Sequence, residues 1–182
     1  YDGGGMFNYN SSPTLTDCTF AGNTATNSGA GMSNSSSSLT LTDCTFTGNT
    51  AIDGGGMRSI YSMLTLSGCT FINNTVSSEG GGMFAKNSNS GSTLTGCTFE
   101  NNTARLGGGM RNYMNSNITL TSCIFTNNTS IFGGGGGMSN NNGSNLTLDN
   151  CSFSDNTAPN GSGMSNINSS PTLSDCTFTD NI

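Results

Sequence analysis

The side chains able to ligate, attack or titrate recur in seven near-identical phrases. Cys18, Cys44, Cys69, Cys97, Cys123, Cys151 and Cys176 appear once per phrase. Each stands two residues before a phenylalanine: Phe20, Phe46, Phe71, Phe99, Phe125, Phe153 and Phe178. Thiols in that number could hold metal or cross-link the chain. Metal sites want paired ligands at short spacing, such as Cys-x-x-Cys, and none occurs. One thiol at a fixed phase in each repeat predicts an inward column of small apolar groups, with coil-to-coil disulfides as the alternative. No metal site and no cofactor is expected.

Acid–base chemistry has little to work with. The 182 residues hold no His, ten acids and four bases (Arg58, Lys86, Arg105, Arg111). Asp149 and Asp155 form the one close acid pair. Asp17, Asp43 and Asp175 sit where the chain must turn, and Asp53 and Glu79 lie in variable connections. An Asp at a corner is more often a turn former than a general acid. No catalytic residue is assigned, and the chain is not expected to be an enzyme. A carbohydrate-active β-helix enzyme is the third-ranked function.

Hydroxyls and amides are ordered in the same rhythm. Thr14, Thr40, Thr65, Thr93, Thr119, Thr147 and Thr172 precede the second apolar residue of each Leu-Thr segment. The residue after that apolar position is Thr, Thr, Ser, Thr, Thr, Asp and Ser in turn. Two files of short hydroxyls resemble the Thr-x-Thr arrays of β-helical ice-binding proteins, while Thr is also a good strand former on a solvated face. Asn23, Asn49, Asn74, Asn102, Asn128, Asn156 and Asn181 close each Phe-x-x-Asn. They are expected to turn inward and satisfy buried backbone groups. Glycosylation triplets abound (Asn10, Asn34, Asn73, Asn101, Asn117, Asn127, Asn142, Asn145, Asn160, Asn168), only slightly more than this composition yields by chance.

Behind these residues stands a period of 25–28, marked by Met6, Met32, Met57, Met83, Met110, Met138 and Met164. A fixed period in this range means a solenoid or array. Within each repeat apolar residues alternate, as in Leu39-Thr40-Leu41-Thr42, which is strand periodicity. The phase slips at Asp17, Asp43, Gly68, Gly96, Ser122, Asn150 and Asp175, marking a corner. A second corner is expected after the Phe-x-x-Asn asparagine and a third in the Ser/Asn-rich stretch after the Met. The Gly runs before each Met fit a corner with positive φ or a close backbone approach. They are not phosphate loops, since no helix and no Lys-Ser/Thr follows. Each coil therefore carries three short strands: on the Met, on Leu-Thr-Leu-Thr and on Cys-Thr-Phe. One coil buries too little to offset its ordering entropy, so coils must stack and place identical residues over one another. Ladders of Cys, Phe, Asn and Leu (Leu15, Leu41, Leu66, Leu94, Leu120, Leu148, Leu173) follow, in a rod roughly 34 Å long at the usual strand spacing.

Gly-Gly-x-apolar paired with Phe-x-x-Asn, once per coil along the whole chain, resembles the repeat of chlamydial polymorphic outer-membrane proteins. More broadly it is similar to bacterial right-handed parallel β-helix repeat proteins and autotransporter passengers. The resemblance implies an all-β, right-handed parallel β-helix of about seven coils, exposed at the cell surface or secreted, and commonly adhesive or structural. Residues 1–182 are expected to depart from that family in carrying no membrane-anchoring barrel.

Residues 1–182 are thus expected to form a single repeat domain with no visible caps, extracellular or at the cell surface. Its function is expected to be that of a structural or adhesive rod, with an ice-binding surface as the alternative. Tyr1 is not an initiator and no signal peptide is present, which suggests a mature or excised segment. The charge balance of −6 and the absence of a basic stripe argue against nucleic acid. No apolar run approaches the length of a membrane span. The expected partners are further copies, stacked head to tail into a filament, and covalent glycans. Read end to start, Phe178-Thr179-Asp180-Asn181-Ile182-Tyr1-Asp2-Gly3 is one residue short of an internal connection such as Phe46 to Gly54.

Overall fold

A computed structural model describes residues 2–88 and 91–182; Tyr1, part of that end-to-start junction, lies outside the described residues. Every described strand pairs in parallel with its equivalent one coil away. The first sheet is built from the Met segments: Met6–Tyr9, Met32–Ser35, Met57–Ile60, Met83–Lys86, Met110–Tyr113, Met138–Asn141 and Met164–Ile167. The second takes the Leu-Thr segments, from Thr14–Thr16 in coil 1 to Thr172–Ser174 in coil 7. The third takes the segments after the Cys, from Thr19–Ala21 to Thr177–Thr179. Strand order in all three follows coil order, so this is a parallel solenoid of seven coils.

A fourth, narrower sheet joins the middle coils. Thr50–Ala51, Thr75–Val76, Thr103–Ala104 and Thr129–Ser130 pair directly after the ladder Asn. Three strands per coil are therefore present throughout, with a two-residue fourth added where Ala51, Val76 and Ala104 stack with Ala25 and Ala30 in a small second core. Two residues are too few to show a period of two, which is why the segment reads as connection in the sequence.

The main core is the stack of inward residues. Phe rings repeat at 4.7–4.9 Å with interplanar angles of 2–5° from Phe20 to Phe178. Leu41, Leu66, Leu94, Leu120 and Leu148 lie beside Met32, Met57, Met83, Met110 and Met138, all fully buried. Coils 1 and 7 each have one neighbour, so their ladder residues are only partly covered.

All three corners are residues in the left-handed region. The first has φ of 50–61° at Asp17, Asp43, Gly68, Gly96, Ser122, Asn150 and Asp175. The second was expected after the ladder Asn but stands one residue before it, at Gly22, Gly48, Asn73, Asn101, Asn127, Asp155 and Asp180. Turning before the Asn is what aims its amide at the core. The third uses Asn10, Ser36, Tyr61, Asn87, Met114, Asn142 and Asn168. Asn, Asp and Gly tolerate this conformation best, which accounts for much of the composition. The Gly runs meet both expected demands. Gly80 has a φ of 67°, while a Cβ on Gly82 would come within 2.6 Å of Gly109 O in the next coil.

Candidate functional site

Five of the seven thiols, Cys44, Cys69, Cys97, Cys123 and Cys151, are buried; Cys18 and Cys176 in the end coils are half-buried, and all are free. The local geometry repeats: Cys44 Sγ lies 3.3 Å from Thr42 O and 3.7 Å from Leu15 O one coil below. Cys151 does the same with Asp149 O and Leu120 O. Burial pushes the Cys44 thiol above its ordinary value of 9.0. Contacts with Cys123 and Cys69, then burial, raise Cys97 as well. Cys44 and Cys97 are thus held protonated and weak as nucleophiles, while hydrogen bonding to Cys97 lowers Cys69 and hydrogen bonding to Cys151 and Cys97 lowers Cys123.

The Asn ladder is saturated. Asn49 Nδ2 donates to Asn74 Oδ1 at 2.9 Å and to Phe20 O at 2.9 Å. Its Oδ1 accepts from the backbone N and Nδ2 of Asn23. The same pattern runs through Asn74, Asn102, Asn128 and Asn156 to Asn181. Every amide of this ladder in coils 2–6 uses its whole capacity inside the wall, leaving none for a ligand.

A second inward amide column, not anticipated from the sequence, lies in the Met sheet. Asn8 donates to Asn34 at 2.8 Å, Asn112 to Asn140 at 2.9 Å and Asn140 to Asn166 at 2.8 Å. Ser59 and Ala85 occupy the same position in coils 3 and 4. Their gap leaves Asn112 Oδ1 and Ser59 Oγ buried without partners. The recurring Met-x-Asn was the available signal, masked by those two exceptions.

Outside, the seven Thr stand in register on the Leu-Thr sheet. Thr93 is half-exposed and the other six are exposed. The neighbouring file is interrupted at Asp149, whose carboxylate accepts from Ser174 Oγ at 2.7 Å. Asp155 stands at the next corner, separated from Asp149 by the strand Ser152–Ser154, so the two acids do not converge.

The glycosylation triplets divide by position. Asn34 is fully buried in the second amide column. Asn10, Asn73, Asn101, Asn117, Asn127, Asn142, Asn145, Asn160 and Asn168 are exposed. In Asn73-Asn74-Thr75 and its equivalents at Asn101 and Asn127, the first Asn meets the left-handed corner and the second fills the ladder. Those triplets are accounted for by fold alone.

The Met sheet's outer side departs from the repeat. Arg58, Phe84 and Arg111 stack in one file, and Ile60, Lys86 and Tyr113 in the next. The bases are scattered in sequence and no stripe was read there, yet three of the four lie on this sheet. Arg111 is 4% exposed. Its Nη1 donates to Ser139 Oγ and Asn141 Oδ1, each at 2.6 Å, and its Nε lies 3.5 Å from Glu79 Oε2. Burial lowers its pKa and Glu79 opposes that. Among the described residues, no group of three or more metal-ligating side chains converges and no helix could span a membrane.

A family model described as a right handed beta helix region matches residues 61–182. No curated protein and no solved structure matches the chain.

Proposed function

The chain belongs to the right-handed β-helix family, and from that premise we propose that it is a structural or adhesive rod, held outside the cell or at its surface. What carries this reading is the in-register repetition of the outward Thr over all seven coils, set on saturated interior ladders. A wall whose Phe-x-x-Asn amides are fully bonded is stiff, and an outer face repeating every 4.7–4.9 Å offers many copies of one weak contact. End-to-end stacking and glycans on the exposed Asn residues belong to the same proposal. Parallel ladders support it, because a further coil extends them without new chemistry.

Electron microscopy of the purified chain tests the reading. Single rods or filaments made of them are expected; compact particles without an axis overturn it.

The same Thr file supports a second reading, ice binding. Asp149, Ser67 and Ser174 interrupt its neighbouring file, so it ranks behind. Ice shaping that disappears when Thr65, Thr93 and Thr119 are replaced by Lys would establish it. Unaltered ice growth at millimolar protein rejects it.

A further inference from the structure

In a solenoid whose outward positions are mostly Thr, Ser and Asn, chemistry that does not repeat marks where selection acts on something other than the coil. Here such chemistry is concentrated on one face. The three described tyrosines, Tyr9, Tyr61 and Tyr113, stand on the Met sheet or at its end. So do Arg58, Lys86 and Arg111, with Arg105 in the adjoining connection. The cations occupy consecutive coils 3–5. Most acids lie elsewhere: Asp17, Asp43, Asp149 and Asp175 on or beside the first corner, Asp155 and Asp180 at the second. Glu79 pairs with Arg111, Asp53 lies in the connection before Arg58, and both are engaged. Glu79 faces Arg111, and Asp53 Oδ1 accepts from Glu79 N at 3.0 Å. Four positive groups therefore stand against two carboxylates in a molecule whose overall charge is −6.

Local geometry turns this excess into a platform. Arg111, held by Ser139, Asn141 and Glu79, sits with its guanidinium carbon 5.5 Å from the Tyr113 ring centroid. Lys86 Nζ lies 5.7 Å from the same ring. Cations within about 6 Å of an aromatic face are attracted to it, so the buried guanidinium and Lys86 both help to hold the ring in place. Tyr61, 57% exposed, presents a second aromatic one coil below Lys86. Arg58 and Lys86 have no ion pair among the described residues. No cavity opens among the described residues, so a ligand would lie along the face.

Flat aromatics match the apolar faces of sugar rings, and adjacent unpaired cations match carboxylate or sulfate groups. We propose that the outer face of the Met sheet in coils 3–5 binds an anionic polysaccharide, through Arg58, Lys86, Tyr61 and Tyr113. The inference rests on the rod of the reading above and adds to it a binding face apart from the Thr file. A chain of repeated anionic sugars can run along the rod axis and engage successive coils, each adding a weak contact.

The repeat supplies safe substitutions. Ser33 and Ser139 stand in register with Arg58, and Asn141 with Lys86 and Tyr113. Arg58→Ser, Lys86→Asn and Tyr113→Asn thus install residues that the same position already accepts. Gel retardation would be read against polygalacturonate, heparin, dextran and duplex DNA, at low and physiological ionic strength. The chain is expected to be retarded by polygalacturonate, heparin or both, with binding weakened by salt and none to dextran. The two anionic polymers separate a carboxylate from a sulfate ligand. The triple variant should bind at least about tenfold more weakly, while Thr45→Ser/Thr70→Ser on the third sheet leaves binding unchanged. Binding to neither anionic polymer, equal binding to dextran, retention by DNA alone, or an unaffected triple variant overturns the proposal. Micrographs of the same samples keep the two ideas apart. Intact rods without binding reject only the ligand, and lost rods reject the adhesive rod itself.

Discussion

Ala85→Asn should stabilise the protein, although it places a polar side chain in a fully buried position. Ala85 pairs in register with Asn112 above and Ser59 below. In the completed part of this column, Asn112 reaches Asn140 at 2.9 Å and Asn140 reaches Asn166 at 2.8 Å. A new amide at the same rung would donate to Asn112 Oδ1, which has no partner, and could accept from Ser59 Oγ, which has none either. An unsatisfied buried polar atom costs about 1–3 kcal/mol, and a bond made adds about 1 kcal/mol. Against that stand the desolvation of the incoming amide and its lost rotamers, together about 1–2 kcal/mol. The net gain expected is about 1 kcal/mol, or about 2–4 °C in a chain of this size. Ala85→Leu supplies similar volume without a donor and serves as the control. Circular dichroism melts should place Ala85→Asn above the parent and Ala85→Leu below it. An Asn variant that melts with or below the Leu variant refutes the claim that the missing donor, rather than the missing volume, is what the column lacks.

Phe99→Ala removes a ring stacked 4.8 and 4.7 Å from its neighbours and should cost about 3–5 kcal/mol, read as a lower denaturant midpoint. Asn102→Ala deletes donations to Phe71 O and Asn128 Oδ1 and the acceptor of both Asn74 donors. About 3–5 kcal/mol should be lost, with amide exchange rising in coils 3–5 before the ends. The native thiols should react with an aromatic disulfide reagent far more slowly than after denaturation; rapid stoichiometric labelling would place the column on the wrong side of the wall. Because burial raises the folded pKa of Cys44 above 9.0, the unfolded chain releases that proton first. Stability should therefore be level below that pH and fall as pH rises past it, and Cys44→Ala should flatten the fall.

The coil was legible because its demands recur. A phase slip at Asp43 or Ser122 marks a corner in every repeat, and Phe-x-x-Asn can be read as an inward ring followed by an inward amide. What escaped was whatever the repeat does inconsistently. The second amide column breaks at Ser59 and Ala85, and the fourth strand is two residues long. The cationic face is assembled by stacking, which brings Arg58, Lys86 and Arg111 together from positions more than twenty residues apart. Function in such a chain lies in the exceptions, and a single sequence does not rank exceptions by itself.

Both amide columns also point one way. In each, Nδ2 of a lower coil donates to Oδ1 of the coil above, from Asn23 through Asn156 and from Asn8 through Asn140. Strand dipoles in a sheet nearly cancel, but side-chain amides stacked head to tail add, each about as large as a peptide dipole. The molecule therefore has an electrical polarity along its axis, negative toward coil 1 and positive toward coil 7. Molecules lying side by side would gain by running in opposite directions, those meeting end to end by running in the same direction. An applied field should align the molecules in solution, with their birefringence reporting the sum of both columns.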